Sequence, residues 1–168
     1  MAEVHVRPAT VADGETLLAL IDGLAAYEKL TPPDAAGKQR FLEDLASDPP
    51  RFGVFIAEAE GQAVGYSVYF EIYSTFLVRT KLYMEDLFVH PDYRSTGAGF
   101  ALIRALADEA ARRDCAGIEW ECLDWNRLAI DFYERIGGHH DTKWLHYSMD
   151  EDAMRELLNK DYSARRAQ

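Results

Sequence analysis

Leu82-Tyr83-Met84-Glu85-Asp86-Leu87-Phe88-Val89 and the glycine-rich turn after it narrow the folding options of this chain more than any other stretch. The segment reads as a strand closed by His90-Pro91-Asp92. The turn, Arg94-Ser95-Thr96-Gly97-Ala98-Gly99, then opens a helix over about Gly99–Arg113, carried by Leu102, Ile103, Leu106 and Ala110. Glycines let a ligand approach the backbone, and free N–H groups at a helix start bind phosphate oxygens. No lysine stands in the Walker position, so a P-loop is excluded. A dinucleotide fingerprint needs Gly or Ala where Leu102 stands, although Glu119 does lie about 20 residues further on. Alone, the loop supports binding of a phosphorylated cofactor.

The remaining elements are set by local signals. Glu3–Arg7 alternates like a strand and stops at Pro8, and Thr10 with Asp13 resembles a capping box. Leu17, Leu20, Ile21, Leu24 and Tyr27 recur at helical spacing. After Pro32-Pro33, Asp34 caps a second helix carrying Phe41, Leu42 and Leu45 inward. Phe52–Ala59 and Ala63–Tyr73 read as a hairpin turning at Glu60-Gly61. Gly117–Leu123 is a further strand, and Asn126–Ile136 is a helix ended by Gly137-Gly138. Lys143–Met149 is expected to return as a strand before a short helix over Asp150–Asn159. The expected architecture is α/β, a mixed and mostly antiparallel central sheet flanked by helices, built as one domain over residues 1–168.

Composition removes several classes of function. A formal charge of −11 argues against nucleic acid, whose phosphates need clustered Lys and Arg. The acidity serves either solubility or attraction of a cationic small molecule. The longest apolar run, Leu17–Ile21, falls far short of the roughly 18 residues of a membrane span. The start, Met-Ala-Glu-Val-His-Val, shows no secretory signal, so a soluble, cytoplasmic protein is expected. Cys115 and Cys122 match neither a CxxC pair nor zinc-ligand spacing and read as structural thiols. His139-His140-Asp141 with His146 has no second ligand motif, so no metal is expected.

Two further features bear on chemistry. Glu85-Asp86 interrupts an apolar strand, and strand alternation would give each face of the sheet one acid. Either both acids are solvated or ion-paired at a strand edge, or one handles a cationic or proton-releasing substrate beside the loop. Leu123-Asp124-Trp125-Asn126 precedes a helix carrying Phe132-Tyr133. Asn126 is a good N-cap, and a tyrosine on an amphipathic helix is ordinarily core.

Together these features resemble the GNAT superfamily of acetyl-CoA-dependent N-acetyltransferases, in particular the spermidine/spermine (diamine) acetyltransferase family and its thialysine-acetylating relatives. The matching residues are Tyr73-Ser74-Thr75, Tyr83-Met84-Glu85-Asp86, Val89-x-Pro91-x-Tyr93-Arg94, Gly97-x-Gly99 and Leu123-Asp124-Trp125-Asn126 with Tyr133. Arg7-Pro8-Ala9-Thr10-x-Ala12-Asp13 and Leu24-Ala25-x-Tyr27-Glu28 extend the match toward the N-terminus. The likeness covers most of residues 3–28 and 66–137. It departs at Ser95-Thr96, at Phe76–Lys81, after Tyr73 where no acid follows, and at Glu119-Trp120-Glu121. These departures leave acetyl transfer intact and bear on which amine is used.

The resemblance implies a set of roles. The backbone of Leu87, Phe88 and Val89 pairs with the pantetheine arm of acetyl-CoA. Arg94, Ser95, Thr96, Gly97, Ala98, Gly99 and Phe100 hold its pyrophosphate, and Asn126 lies near the reacting end. Tyr133 is the general acid for the departing thiolate, and Glu85 accepts the amine proton directly or through water. Tyr27, Glu28, Glu85 and Asp86 line the site of a small cationic amine, in part across the interface of a homodimer. An alkylammonium with a pKa near 10.4 must lose a proton before attack, and a phenol near 10 stays loaded as an acid at neutral pH. Two rivals stay open: transfer to a protein N-terminus or lysine, favoured by a wide shallow groove, and a non-catalytic acyl-CoA sensor, which would need neither Glu85 nor Tyr133.

Overall fold

The structure, a computed structural model, describes residues 3–160. The chain divides after Glu121 into two compact units. In the first unit β1 (Val4–Pro8) leads through a short 3-10 turn, Val11–Asp13, into α1 (Gly14–Glu28) and then α2 (Ala35–Leu45). β2 (Gly53–Ala59), β3 (Gln62–Ser74) and β4 (Arg79–Val89) come next, and then α3 (Ala98–Arg112) and β5 (Ile118–Trp120). The five strands lie in sequence order, antiparallel from β1 to β4 and parallel between β4 and β5. The mixed, mostly antiparallel sheet and its flanking helices agree with the expected architecture. Among the described residues no helix is long and apolar enough to cross a membrane.

Local chemistry explains the element ends. Pro8 ends β1, an edge strand, where its missing N–H breaks no central ladder. Asp13 accepts from the Thr10 N–H at 2.7 Å and the Thr10 hydroxyl at 3.0 Å, starting the turn into α1. Asp34 accepts from the Gly37 N–H at 2.7 Å and caps α2. Glu60 and Gly61 both adopt positive φ, 54° and 77°, as a tight β2–β3 hairpin requires. Leu17 and Leu20 of α1 bury against Val54, Ile56, Tyr66, Val68 and Phe88, with Phe41 and Leu45 of α2 packed beside them. On the opposite face Leu102 and Leu106 of α3 are fully buried.

An ion-paired node ties β1 to the start of α1. Arg7 donates to both oxygens of Asp13, at 2.9 and 2.7 Å, and to Glu58 of β2 at 2.9 Å. These bonds hold the Asp13 carboxyl well below the usual carboxylate range. A depressed acid stabilises the fold above its unfolded pKa, and that stability is lost as the pH falls. Asp13→Asn is therefore expected to cost about 1–2 kcal/mol at pH 7, for a part-buried bidentate pair. Urea unfolding at several pH values should show the gap between the two proteins closing below about pH 4.

The second unit holds α4 (Arg127–Arg135) and α5 (Glu151–Asn159). Asn126 caps α4 through the Ala129 N–H at 3.2 Å, and Gly137 ends it at a φ of 93°. Asp150 caps α5. Two strand expectations need correction. β5 spans only Ile118–Trp120 of the expected Gly117–Leu123, and the Lys143–Met149 strand does not form. Residues 143–149 have no ladder partner among the described residues, and Trp144, Leu145 and Tyr147 are 76%, 77% and 85% exposed. Without a buried face nothing fixes a register, so apolar alternation alone does not make a strand.

Candidate active site

The site is organised by an irregularity in β4. Val68 pairs with Asp86 and Tyr69 with Met84, so Glu85 is an extra residue on β4, a β-bulge. Paired residues share a face, which puts Met84 on the α3 side with Tyr69 and Asp86 on the α1 side with Val68. Simple alternation therefore fails across this pair: the strand changes face at Glu85, whose side chain is exposed. The parallel ladder to β5 stops at Met84, the residue before the bulge. Beyond it, Leu87, Phe88 and Val89 pair with β3 alone among the described residues. The backbone expected to receive the pantetheine arm thus has no second ladder partner among the described residues, and on that side the Val89 carbonyl accepts from Arg94.

The acids gather at this bulge. Asp86 is largely buried and accepts from the Tyr66 hydroxyl at 3.0 Å through Oδ2. Burial above all pushes its carboxyl up to about 6, the Tyr66 hydrogen bond opposes that, and Glu85 and Glu28 add to the rise. Glu28 is the last residue of α1, half-buried, with its own carboxyl raised by burial. An acid at a helix C-terminus opposes the macrodipole, so Glu28 does not serve the helix that carries it. α1 comes close to β4 because a Cβ at Gly23 would stand 3.2 Å from the Phe88 ring. Glu28, Glu85 and Asp86 thus converge, as the resemblance implies, from a helix end and a strand bulge far apart in sequence.

The glycine turn is built as a cradle. Ser95 and Gly97 hold positive φ, 64° and 96°, and Thr96 donates to the Tyr93 carbonyl at 2.7 Å. Gly97 is the N-cap of α3, and the first amides of a helix have no intrahelical acceptor. Ala98 is buried, while Phe100 is exposed. A Cβ at Gly97 would meet no atom within 4 Å. Arg94 turns inward: it donates to the Val89 carbonyl at 3.2 Å and lies 4.4 Å from the Tyr27 ring centroid, a cation–π contact. Tyr27 therefore packs between the core and the loop, and ties the end of α1 to the turn.

In the second unit Asn126 is buried and spends its side-chain carbonyl on the helix cap. Tyr133 is half-buried on α4, its ring 5.5 Å from that of Phe132, and α4 has no fully buried residue. A cleft of about 420 Å³ lined by residues such as Arg51, Tyr69, Glu71 and Arg113 contains none of the expected site residues. Among the described residues no three His, Cys, Asp or Glu side chains gather to hold a metal. Sequence reading missed Tyr66, because the face it shares with Asp86 is set by the pairing of β3 with β4 and not by either strand alone. An acid placed amid apolar strand residues was the one available signal that a buried donor would be needed.

Comparison with known proteins identifies the family. The profile of the acetyltransferase (GNAT) family matches residues 18–138, a span that holds every expected site residue from Tyr27 to Tyr133. The thialysine N-epsilon-acetyltransferase of Sus scrofa is 34% identical over 95% of this chain and 100% of its own length. The L-ornithine N5-acetyltransferase of Arabidopsis thaliana is 30% identical over 75% of this chain and 50% of its own length. An integron cassette protein from the mobile metagenome of V. cholerae has the same fold, with a TM-score of 0.78 at 22% identity over 95% of this chain and 99% of its own. With the bulged strand and the glycine turn in place, the chain belongs to the acetyltransferase (GNAT) family and is an acetyl-CoA-dependent N-acetyltransferase.

Proposed function

We propose that the enzyme transfers acetyl directly, in a ternary complex, to a primary amine of a small cationic substrate, a diamine or polyamine or a thialysine-like amino acid. The observation that carries this reading is the convergence of Glu28, Glu85 and Asp86 at the β4 bulge, beside the backbone of Leu87–Val89. Carboxylates in a partly dehydrated site favour an ammonium through charge-assisted hydrogen bonds. The relatives named for thialysine and L-ornithine act on amino acids with a terminal amine, which supports the same class.

Each residue then has a task. Glu85, exposed at the bulge, takes the amine proton directly or through water. The freed nitrogen attacks the thioester carbonyl carbon, the C–S bond breaks as Tyr133 protonates the departing thiolate, and the surplus proton on the new amide nitrogen leaves through water and restores the Tyr133 phenol. The first amides of α3 hold the pyrophosphate, and Asn126 lies near the reacting end. Glu28 and Asp86 bind the cationic amine, and Tyr27 lines its site. The family match runs across the boundary after Glu121, which supports reading the chain as one catalytic domain. A cytoplasmic homodimer completes the proposal.

Free-thiol release from acetyl-CoA in the presence of linear diamines, polyamines, thialysine, L-ornithine and N-terminal peptides tests the reading. The small cationic amines should support turnover; release with peptides alone would move the enzyme to protein acceptors. Glu28→Gln keeps the shape of the side chain and removes its charge. KM for the preferred amine should rise roughly ten- to a hundred-fold, with acetyl-CoA affinity unchanged. If Glu28 is only a solvated helix-end charge, no cationic amine will show a changed KM.

A further inference from the structure

Tyr66 has no part in the roles above, yet its hydroxyl is placed where one is needed. The side chain is 0% exposed, its ring packs 6.3 Å from that of Phe88, and it sits in the core beneath α1. A tyrosine hydroxyl in such a place must find a partner, since an unpaired buried polar group is costly. Its partner is Asp86 Oδ2, at 3.0 Å. A carboxylate has two oxygens, and this bond occupies one from below, out of the core.

We propose that Tyr66 is a positioning residue of the amine site: its buried hydroxyl fixes the Asp86 carboxylate in one rotamer and leaves the other oxygen to accept from the substrate ammonium. The inference rests on the reading of Asp86 as an amine-binding group. Among the described residues, the titratable groups that act on Asp86 are Glu85 from its own strand, Glu28 from α1 and Tyr66 from β3. Two of these repel a charge on Asp86, and Tyr66 is the only one of the three that donates to it. The hydroxyl therefore both orients the carboxylate and keeps it ionised in surroundings that favour its protonated form. Tyr66 pairs with Phe88 and Val68 with Asp86 in unbroken register, which puts Asp86 and Tyr66 on one face of the sheet; the bulge at Glu85 begins directly beyond Asp86.

Tyr66→Phe removes the oxygen alone. KM for the preferred amine should rise roughly tenfold, equivalent to about 1.4 kcal/mol, while KM for acetyl-CoA stays unchanged. The acidic limb of the kcat/KM profile should move to higher pH by about one unit, because Asp86 loses the bond that favours its charge. In an Asp86→Asn background the same change should add less than about twofold, since the hydroxyl acts through that carboxylate. Side-chain carboxyl NMR of Asp86 in the amine-free protein gives an independent readout, with its titration midpoint higher in Tyr66→Phe. Equal midpoints in the two proteins, or independent effects of the two substitutions on amine KM, would return Tyr66 to plain core packing. If the midpoint moves but no small cationic amine is acetylated, the positioning of Asp86 stands and the substrate reading fails.

Discussion

Tyr133→Phe is expected to lower kcat by about 10²–10⁴-fold, the usual contribution of a positioned general acid. The departing thiolate, with a conjugate acid near 8.5, leaves poorly unless a proton reaches it as the C–S bond breaks. A phenol is protonated across the physiological range, and the phenolate left after donation, with a conjugate acid near 10, readily regains a proton before the next turnover. The substitution removes one oxygen from a half-buried ring on a helix with no fully buried residue, so the fold should be little affected. Acetyl-CoA titration and thermal melting should match the wild type while steady-state turnover collapses. Wild-type kcat in the Phe protein would make Tyr133 a packing residue and leave the acid unassigned.

Gly97→Val should raise the dissociation constant for CoA about a hundred-fold. The N-cap of α3 stands at a φ of 96°, and a side chain there would project into space empty of protein within 4 Å. Gly97 directly precedes the first amides of the helix, so a branched side chain there is expected to keep phosphate oxygens from N–H groups worth about 1.5–3 kcal/mol for each charged contact. Valine at positive φ also strains the backbone by about 1–3 kcal/mol, so stability falls as well. Gly61 separates the two effects. It too has a positive φ, 77°, with nothing within 4 Å of an added Cβ, but it lies in the β2–β3 turn. Gly61→Val should melt at a lower temperature and bind CoA normally. Equal CoA affinities in the two variants would remove the turn from cofactor binding.

Much of this molecule is legible from short-range signals. The capping residues Thr10, Asp34 and Asn126, the turn at Glu60-Gly61 and the repeats in α1 and α3 each act within a few residues, and the structure obeys them. The glycine turn was readable for the same reason: a helix N-terminus preceded by a residue at positive φ is a local object that carries its own chemistry. The meeting of Glu28 with Glu85 and Asp86 came from family likeness, since nothing local joins residues that far apart.

What tertiary structure decided was register. Alternation along 82–89 is the same with or without a bulge, and only pairing with β3 makes Glu85 the extra residue and turns Asp86 toward Tyr66. The same bulge ends the ladder to β5, which is why a strand expected to reach Leu123 stops at Trp120. Arg94 donates to Val89 and covers Tyr27, because α1 packs close enough to offer it an aromatic face. Lys143–Met149 has the composition of a strand and no partner among the described residues. A chain can encode caps, turns and periodicity by itself because their partners are its own neighbours. A ladder, a change of face or a buried hydrogen bond exists only when a distant segment arrives in register to supply the other half.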